Sequence, residues 1–489
     1  MTTRRAAAGA AVTATIYVAA ILGLGATTSA LAQSADPVIF SFATVGDNRQ
    51  DPASPDPTTK LSNASGAGAQ SLTGVLLPQD AYYLQNSAAW ATIQAGIMAQ
   101  NPNLLFFNGD MIYGYGRPTL PAAWTTTGSG VIAGQPNTWT GTQSVTGDAI
   151  SDYLQYGYWR GTVSTLFATG TYVIPVPGNH ETQCSQTAAP YSTSNHNNCN
   201  SGKTAYADNE NMFRYTMSDL IQDLTNNYRF SQVTGFFAQN VTGLTAGTAP
   251  TASTNNGNIT GSQADLTYSF DIQTSGPLLH FVVINTDPSG ADQTPPAGWL
   301  ATDLANFVTR AAGTPYKIFV FGHKPAYTYN YGAASHVAVS AGGLDANTTN
   351  PGPLNKFWSL MVQYNATYFS GHEHVVNVAK YADPTGTYPG NAFQVLVGAG
   401  GSPFDDKLIG TCTQPAFGAG NGCAEPALTN PYDRYYGWAL VQIHQSGAVT
   451  LQMTGFPDTG LTVMGGSPLL DLAGYDVPGT GFPSVTTLQ

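Results

Sequence analysis

Asn103-Leu104-Leu105-Phe106-Phe107-Asn108-Gly109-Asp110-Met111-Ile112-Tyr113 is an apolar run of strand length that stops at a glycine-flanked aspartate. A run without alternation reads as a strand buried on both faces. Six other runs share this character: 37–45, 171–176, 279–286, 316–321, 366–370 and 392–397. Segments with helical spacing, 82–100, 150–167, 211–226, 298–312 and 354–364, are interspersed with them. Strands alternating with helices predict an α/β architecture with much parallel pairing. Two later runs, 437–444 and 448–455, are joined only by Gln445, Ser446 and Gly447. They read as an antiparallel hairpin, which makes the sheet system mixed.

The same punctuation recurs along the chain. Five short motifs fall at or just past predicted strand ends: Gly46-Asp47, Gly109-Asp110-Met111-Ile112-Tyr113, Gly178-Asn179-His180-Glu181, Val320-Phe321-Gly322-His323 and Gly371-His372-Glu373-His374. Open α/β sheets collect ligands beyond the carboxyl ends of their strands, so residues far apart in sequence can converge there. Glycine beside each candidate is expected to let the backbone turn sharply. Singly, each motif has an ordinary explanation: a turn, a hydrogen-bonded structural histidine, one tyrosine among 26. Jointly they carry more weight, because four of the eight histidines, His180, His323, His372 and His374, lie in these strand ends. Carboxylate, amide and imidazole donors together suit iron, zinc or manganese rather than an all-oxygen calcium site. That many ligands call for two metal ions.

A chain of 489 residues can bury a large core. Polar Gly/Thr/Pro-rich stretches at about 116–147, 182–206, 242–263, 329–353 and 402–432 read as insertions walling one face of a single domain spanning 33–465. Residues 466–489 read as an irregular tail. At the start, Arg4 and Arg5 precede an apolar run that closes on Ala30-Leu31-Ala32, the pattern of a cleaved signal peptide over 1–32. A transmembrane anchor competes, but the run is short and ends in a small-residue cleavage site, so export is expected, to the periplasm or outside the cell. In an oxidising compartment Cys184, Cys199, Cys412 and Cys423 are expected as two local disulfides among three possible connectivities. The net charge of −12, two units more negative once Arg4 and Arg5 are removed, argues against nucleic acid as a bulk partner.

At this point the sequence resembles the calcineurin-like metallophosphoesterases. Tyr113, three residues after Asp110, is similar to the feature marking their purple acid phosphatase branch. The resemblance covers Asp47 to His374 and implies a four-layer α/β/β/α sandwich of two mixed sheets, with helices outside and long loop insertions. It further implies that Asp47, Asp110, Tyr113 and His374 bind Fe(III), while Asp110, Asn179, His323 and His372 bind a divalent zinc, iron or manganese ion. Asp110 would bridge the two. The reaction implied is hydrolysis of phosphate esters by a metal-bound hydroxide, with His180 stabilising the phosphoryl oxygens or protonating the leaving group.

Two features depart from that pattern. The superfamily places a histidine two residues after the first aspartate and the phosphatase branch usually a glycine, whereas this chain has Arg49. Arg49 is expected either to contact substrate phosphate or to pair with Asp51. A histidine pair that some relatives carry after the fourth motif is replaced by a region holding Tyr327, Tyr329, Tyr331 and His336, and His336 is divided between surface and substrate contact. Two other readings stand beside the phosphatase: a phosphodiesterase or nucleotidase with two divalent ions, and a non-catalytic secreted metal-binding recognition protein.

Overall fold

The computed structural model describes residues 36–49, 83–114, 143–182, 209–225, 265–287, 295–327, 353–374, 376–402, 435–457, 470–471 and 486–489. Val38–Gln489 form one compact unit; of a second unit, Met1–Pro37, only residues 36 and 37 are described. The predicted signal segment, the four cysteines, Asp51 and His336 lie outside the described residues. Among the described residues no helix is long and apolar enough to cross a membrane.

The chain first lays down β1 (Val38–Val45), β2 (Leu104–Phe107) and β3 (Tyr172–Pro175), paired in parallel. It then builds a second sheet from β4 (Tyr268–Gln273), β5 (Leu278–Val283), β6 (Tyr316–Phe321), β7 (Thr367–Ser370), β8 (Val376–Ala382) and β9 (Asn391–Val397), ordered β4-β5-β6-β7-β9-β8. In this sheet β5, β6, β7 and β9 run parallel, and the edge strands β4 and β8 are antiparallel. Finally β10 (Tyr435–His444), β11 (Val449–Pro457), β12 (Leu470–Asp471) and β13 (Thr486–Thr487) return to the first sheet, with β10 antiparallel to β1. Both sheets are mixed.

Helices cover the two outer faces. On the first sheet lie α1 (Ser87–Gln100) and α2 (Gln143–Thr169), and Phe107 turns outward onto Trp90 of α1 and Trp159 of α2. The single turn α3 (Asn179–Thr182) and α4 (Asn209–Thr225) follow, and Met212, Phe213 and Met217 of α4 join the same core. On the second sheet, α5 (Ala297–Arg310) and α6 (Pro353–Gln363) bury Leu300, Leu304, Phe307, Phe357 and Met361 against Val282, Ile318 and Val320. The helix–sheet–sheet–helix order implied by the resemblance is the order found.

The two sheets meet on phenylalanine. Phe42 of β1 packs on Phe106 of its own sheet and on Phe281, Phe319, Phe321 and Phe369 of the other, with ring centroids 5.0–5.7 Å apart. Phe106 stacks on Phe321 at 3.6 Å. Each buried ring contributes roughly 1.5–3 kcal/mol through area alone, so this seam stabilises the sandwich strongly.

The tail read as irregular supplies β12 and β13, two-residue strands paired with β11, and just past β13 Leu488 enters the core and the Gln489 side chain donates to the Ile318 carbonyl and Thr367 Oγ1. Elements that short carry no periodicity, which is why the sequence did not disclose them. The strands β4 and β8 were not predicted either, and α1 starts at Ser87 rather than 82, capped by the Asn86 side chain accepting from Ala89 N–H.

On the outer face of the second sheet, His280 is fully buried between two carboxylates. Its Nδ1 lies 2.6 Å from Asp271 Oδ1 and its Nε2 2.9 Å from Asp303 Oδ2, while Phe307 stacks on the ring at 4.2 Å. Arg310 donates to Asp271, and the Ser269 hydroxyl donates to Asp303. Carboxylates only accept, so both ring nitrogens carry protons. Burial opposes the charged ring, but Asp303 and Asp271 outweigh it and bring the pKa up to about 9 from 6.5. The stabilisation from this imidazolium is therefore complete below pH 6.5 and lost as pH rises through about 9. We predict that the melting temperature of the wild-type protein falls across that window. His280→Gln should lower it at neutral pH, by an amount reflecting about 3–5 kcal/mol for a broken buried pair, and flatten the pH dependence. Thermal melts at several pH values check both.

Candidate metal centre

The carboxyl ends of β1, β2, β3, β6 and β7 meet at one edge of the sandwich. Asp110 Oδ1, Asn179 Oδ1, His323 Nε2 and His372 Nδ1 face one another there. His323 Nε2 lies 3.0 Å from Asp110 Oδ1, 2.8 Å from Asn179 Oδ1 and 3.2 Å from His372 Nδ1, and His372 Nδ1 lies 3.0 Å from Asn179 Oδ1. The His323 Nδ1–H is committed to the Asn108 carbonyl at 2.7 Å, which turns Nε2 into the cluster. Donor atoms at right angles about an ion with bonds of about 2.1 Å are roughly 3.0 Å apart, so these separations fit a cation of the zinc, iron or manganese class.

A second group shares Asp110: one donor atom each from Asp47, Asp110 and His374 lie within 4.8 Å of one another. This half is looser, with His374 Nε2 3.6 Å from Asp47 Oδ1. Asp47 Oδ1 is buried and accepts no hydrogen bond among the described residues, while Oδ2 receives the His372 N–H at 2.9 Å. A buried carboxylate oxygen left this way suits a cation.

Glu181 holds the loop that carries Asp110. Its carboxylate accepts the backbone N–H groups of Asp110, Met111, Ile112 and Gly178, at 2.7–3.1 Å. Burial, with Asp110 nearby, pushes its pKa up to about 7 against the pull of His323 and those donors. The expected turning role of the flanking glycines holds only in part. Gly109 has φ 82°, but Gly46, Gly178 and Gly371 do not lie in the left-handed region; Asp47, Asp110 and His372 do, at 61°, 54° and 72°. Glycine at 371 and 178 provides clearance instead: a Cβ at Gly371 would collide with Asp47 Oδ2, and one at Gly178 would come 2.6 Å from Asp110 Oδ1.

His180 sits beside this centre, with Nδ1 on the Tyr113 carbonyl and Nε2 3.6 Å from Asp110 Oδ2. The Tyr113 ring lies 5.4 Å from the His180 ring, and its N–H donates to Gln155. Arg49 pairs with Asp110, Nε to Oδ2 at 3.0 Å. Two buried groups were not anticipated: the Lys324–Asp287 ion pair at 2.9 Å, and Asn48. Asp287 lies just past β5, where position alone could have flagged it.

Charge in the centre is unevenly compensated. Burial pushes the Asp110 carboxyl up, but His180, His323 and Arg49 outweigh it and hold the group well below the usual range. Burial drives Asp47 well above that range, with His323 pulling against it. Burial and Arg49 depress His180, and burial with Lys324 and His323 depresses His372. His323 is raised to about 9 by Asp110 and Asp47 against its burial.

No protein-family model and no curated protein matches the sequence. The structure is similar to that of a purple acid phosphatase from yellow lupin (Lupinus luteus) seeds, with 10% identity, 87% of this chain and 52% of that one covered, and a TM-score of 0.39. This chain thus spans about half the length of the lupin protein. It is also similar to PhoD, with 11% identity, coverage of 90% and 70%, and a TM-score of 0.40. GAP50, the anchor in the inner membrane complex of Plasmodium, is similar at 10% identity, 89% coverage of both chains and a TM-score of 0.35.

Glu181→Gln replaces one acceptor oxygen with a donor facing backbone N–H groups. We predict a stability loss of about 2–4 kcal/mol and weakened metal retention, measured by thermal melting and elemental analysis.

Proposed function

We propose that this chain is an exported metal-dependent phosphoric ester hydrolase of the acid phosphatase type. The supporting observation is the convergence of Asp110, Asn179, His323 and His372 beside Asp47 and His374, with Asp110 common to both groups. In this reading Asp110, Asn179, His323 and His372 hold a divalent ion, and Asp47, Asp110, His374 and Tyr113 hold Fe(III). When bound, the two ions acidify water and neutralise phosphoryl oxygens. Five positive charges set against Asp47, Asp110 and the Tyr113 phenolate leave about two, enough to draw a phosphate to an acidic protein.

The chain's own residues complete the reading. His323 is fixed by its Nδ1–H on the Asn108 carbonyl and so turns Nε2 toward the centre, while the His372 main-chain N–H on Asp47 Oδ2 holds the backbone that carries the second ring. His180, with Nδ1 spent on Tyr113, offers Nε2 at the edge of the centre to take up a proton and return it to a leaving oxygen. Arg49, whose side chain is 13% exposed at the edge of the group, supplies a positive charge toward substrate.

Removal of metal by chelation should abolish phosphatase activity, and His180→Ala should lower kcat by about 10²–10⁴-fold while leaving metal content unchanged. Loss of both metals in His180→Ala, or a metal-loaded protein inert on every generic phosphoester, would overturn the assignment. A visible tyrosinate-to-iron charge-transfer band that Tyr113→Phe removes supports the Fe(III) site. A colourless enzyme with two bound ions places the chain with phosphodiesterases or nucleotidases using two divalent ions.

A further inference from the structure

The two halves of the centre are not built alike. Around His323 the donor atoms stand 2.8–3.2 Å apart, whereas on the other side His374 Nε2 and Asp47 Oδ1 are 3.6 Å apart. The oxygen of Asp110 that faces away from His323 is already engaged: Arg49 Nε–H donates to Oδ2 at 3.0 Å. A guanidinium and a metal ion cannot both sit on that oxygen without strong repulsion, since the Asp110 side chain is fully buried and screened little by water.

The main chain of Arg49 is pinned on both sides. It forms an isolated antiparallel bridge to Gln85, and its carbonyl accepts the Ser402 hydroxyl at 2.9 Å. The Gln85 side chain in turn donates to the Met111 carbonyl at 2.8 Å, next to Asp110, so backbone and carboxylate are held in one frame.

We propose that Arg49 is a latch on the shared carboxylate: its guanidinium occupies Asp110 Oδ2 in the one-metal protein, and the second ion binds only by displacing it. The proposal rests on the metal reading given above and adds an order of filling. The compact half, Asp110 with Asn179, His323 and His372, fills first and tightly. Offered divalent ions alone, the half formed by Asp47, Asp110, His374 and Tyr113 fills second and weakly, and the released guanidinium becomes available to an anion.

The test is titration of the chelator-stripped full-length protein with Mn(II), read by calorimetry and by electron paramagnetic resonance. Wild-type protein should bind in two steps, a mononuclear manganese signal giving way to a spin-coupled one only at excess metal. Arg49→Gln removes the competing cation. Its second step should strengthen by about tenfold or more, with the coupled signal appearing near two equivalents and the first step little changed. Arg49→Lys, which keeps the charge, should retain a weak second step and covers the case in which the glutamine variant does not fold. A second step equally strong in wild type and both variants overturns the latch and leaves the metal reading intact. Absence of any binding in all three overturns the metal reading itself, and the latch with it.

Discussion

Stacking of phenylalanines between the two sheets is the constraint on which the rest of the molecule depends. Asp47, Asp110 and Asn179 follow strands of one sheet, and His323, His372 and His374 follow strands of the other, so their mutual distances are set by how the sheets seat on each other. Phe42 and Phe106 fix that seating from one side and Phe319, Phe321 and Phe369 from the other. Close-packed interiors do not deform continuously, so a seam of this kind transmits its register to the strand ends. Asn108 then ties the ends together: its amide donates to Thr44 Oγ1 and the Ser370 carbonyl, and its own carbonyl receives His323 Nδ1–H.

Buried carboxylates show how the fold assigns different work to one chemical group. Glu181 is satisfied by four backbone N–H groups and acts as scaffold. Asp110 is surrounded by cations, with Arg49 on one oxygen and His323 at the other. Asp271 and Asp303 share a protonated histidine far from the centre, a purely structural solution. Asp47 differs from all of these, having one N–H on Oδ2 and His374 at 3.6 Å from Oδ1. Of the four arrangements it is the one that burial leaves least compensated, and it lies where a cation would be shared with Asp110.

Most of the sandwich was legible because parallel strands buried on both faces give unbroken apolar runs, as in Leu104–Phe107 and the 318–321 stretch of β6. The strand β4 escaped for the opposite reason: Tyr268, Phe270 and Ile272 alternate with Ser269, Asp271 and Gln273, an edge strand of alternating polarity rather than a continuous apolar run. Period-two reading would have found it. The strand β8 holds Lys380 within an alternating edge and is similarly muted. For the centre, the sequence supplied the identities of the donors through their position at strand ends. It could not supply the Arg49–Asp110 pair, because Arg49 and Asp110 are brought together by the parallel pairing of β1 with β2, not by proximity in the chain.

The backbone strain at the centre follows from the same geometry. A side chain leaving the last residue of a strand points along the pleat, above or below the sheet, whereas a ligand must point back across the sheet edge. The left-handed conformation at Asp47, Asp110 and His372 makes that turn, at roughly 1–2 kcal/mol for each residue with a Cβ. Glycine would adopt the conformation without cost but carries no donor atom, so the strain falls on the ligands themselves. It is held by bonds on both sides: Asp47 N–H to the Gly109 carbonyl, Ser402 N–H to the Asp47 carbonyl, Asp110 N–H to Glu181, and His372 N–H to Asp47. Three of those bonds run between different motifs and the fourth ties Asp47 to Ser402, so relaxing one strained residue would disturb another. The donor positions are thereby over-determined, and a cation entering the centre meets ligands whose backbone is already in place.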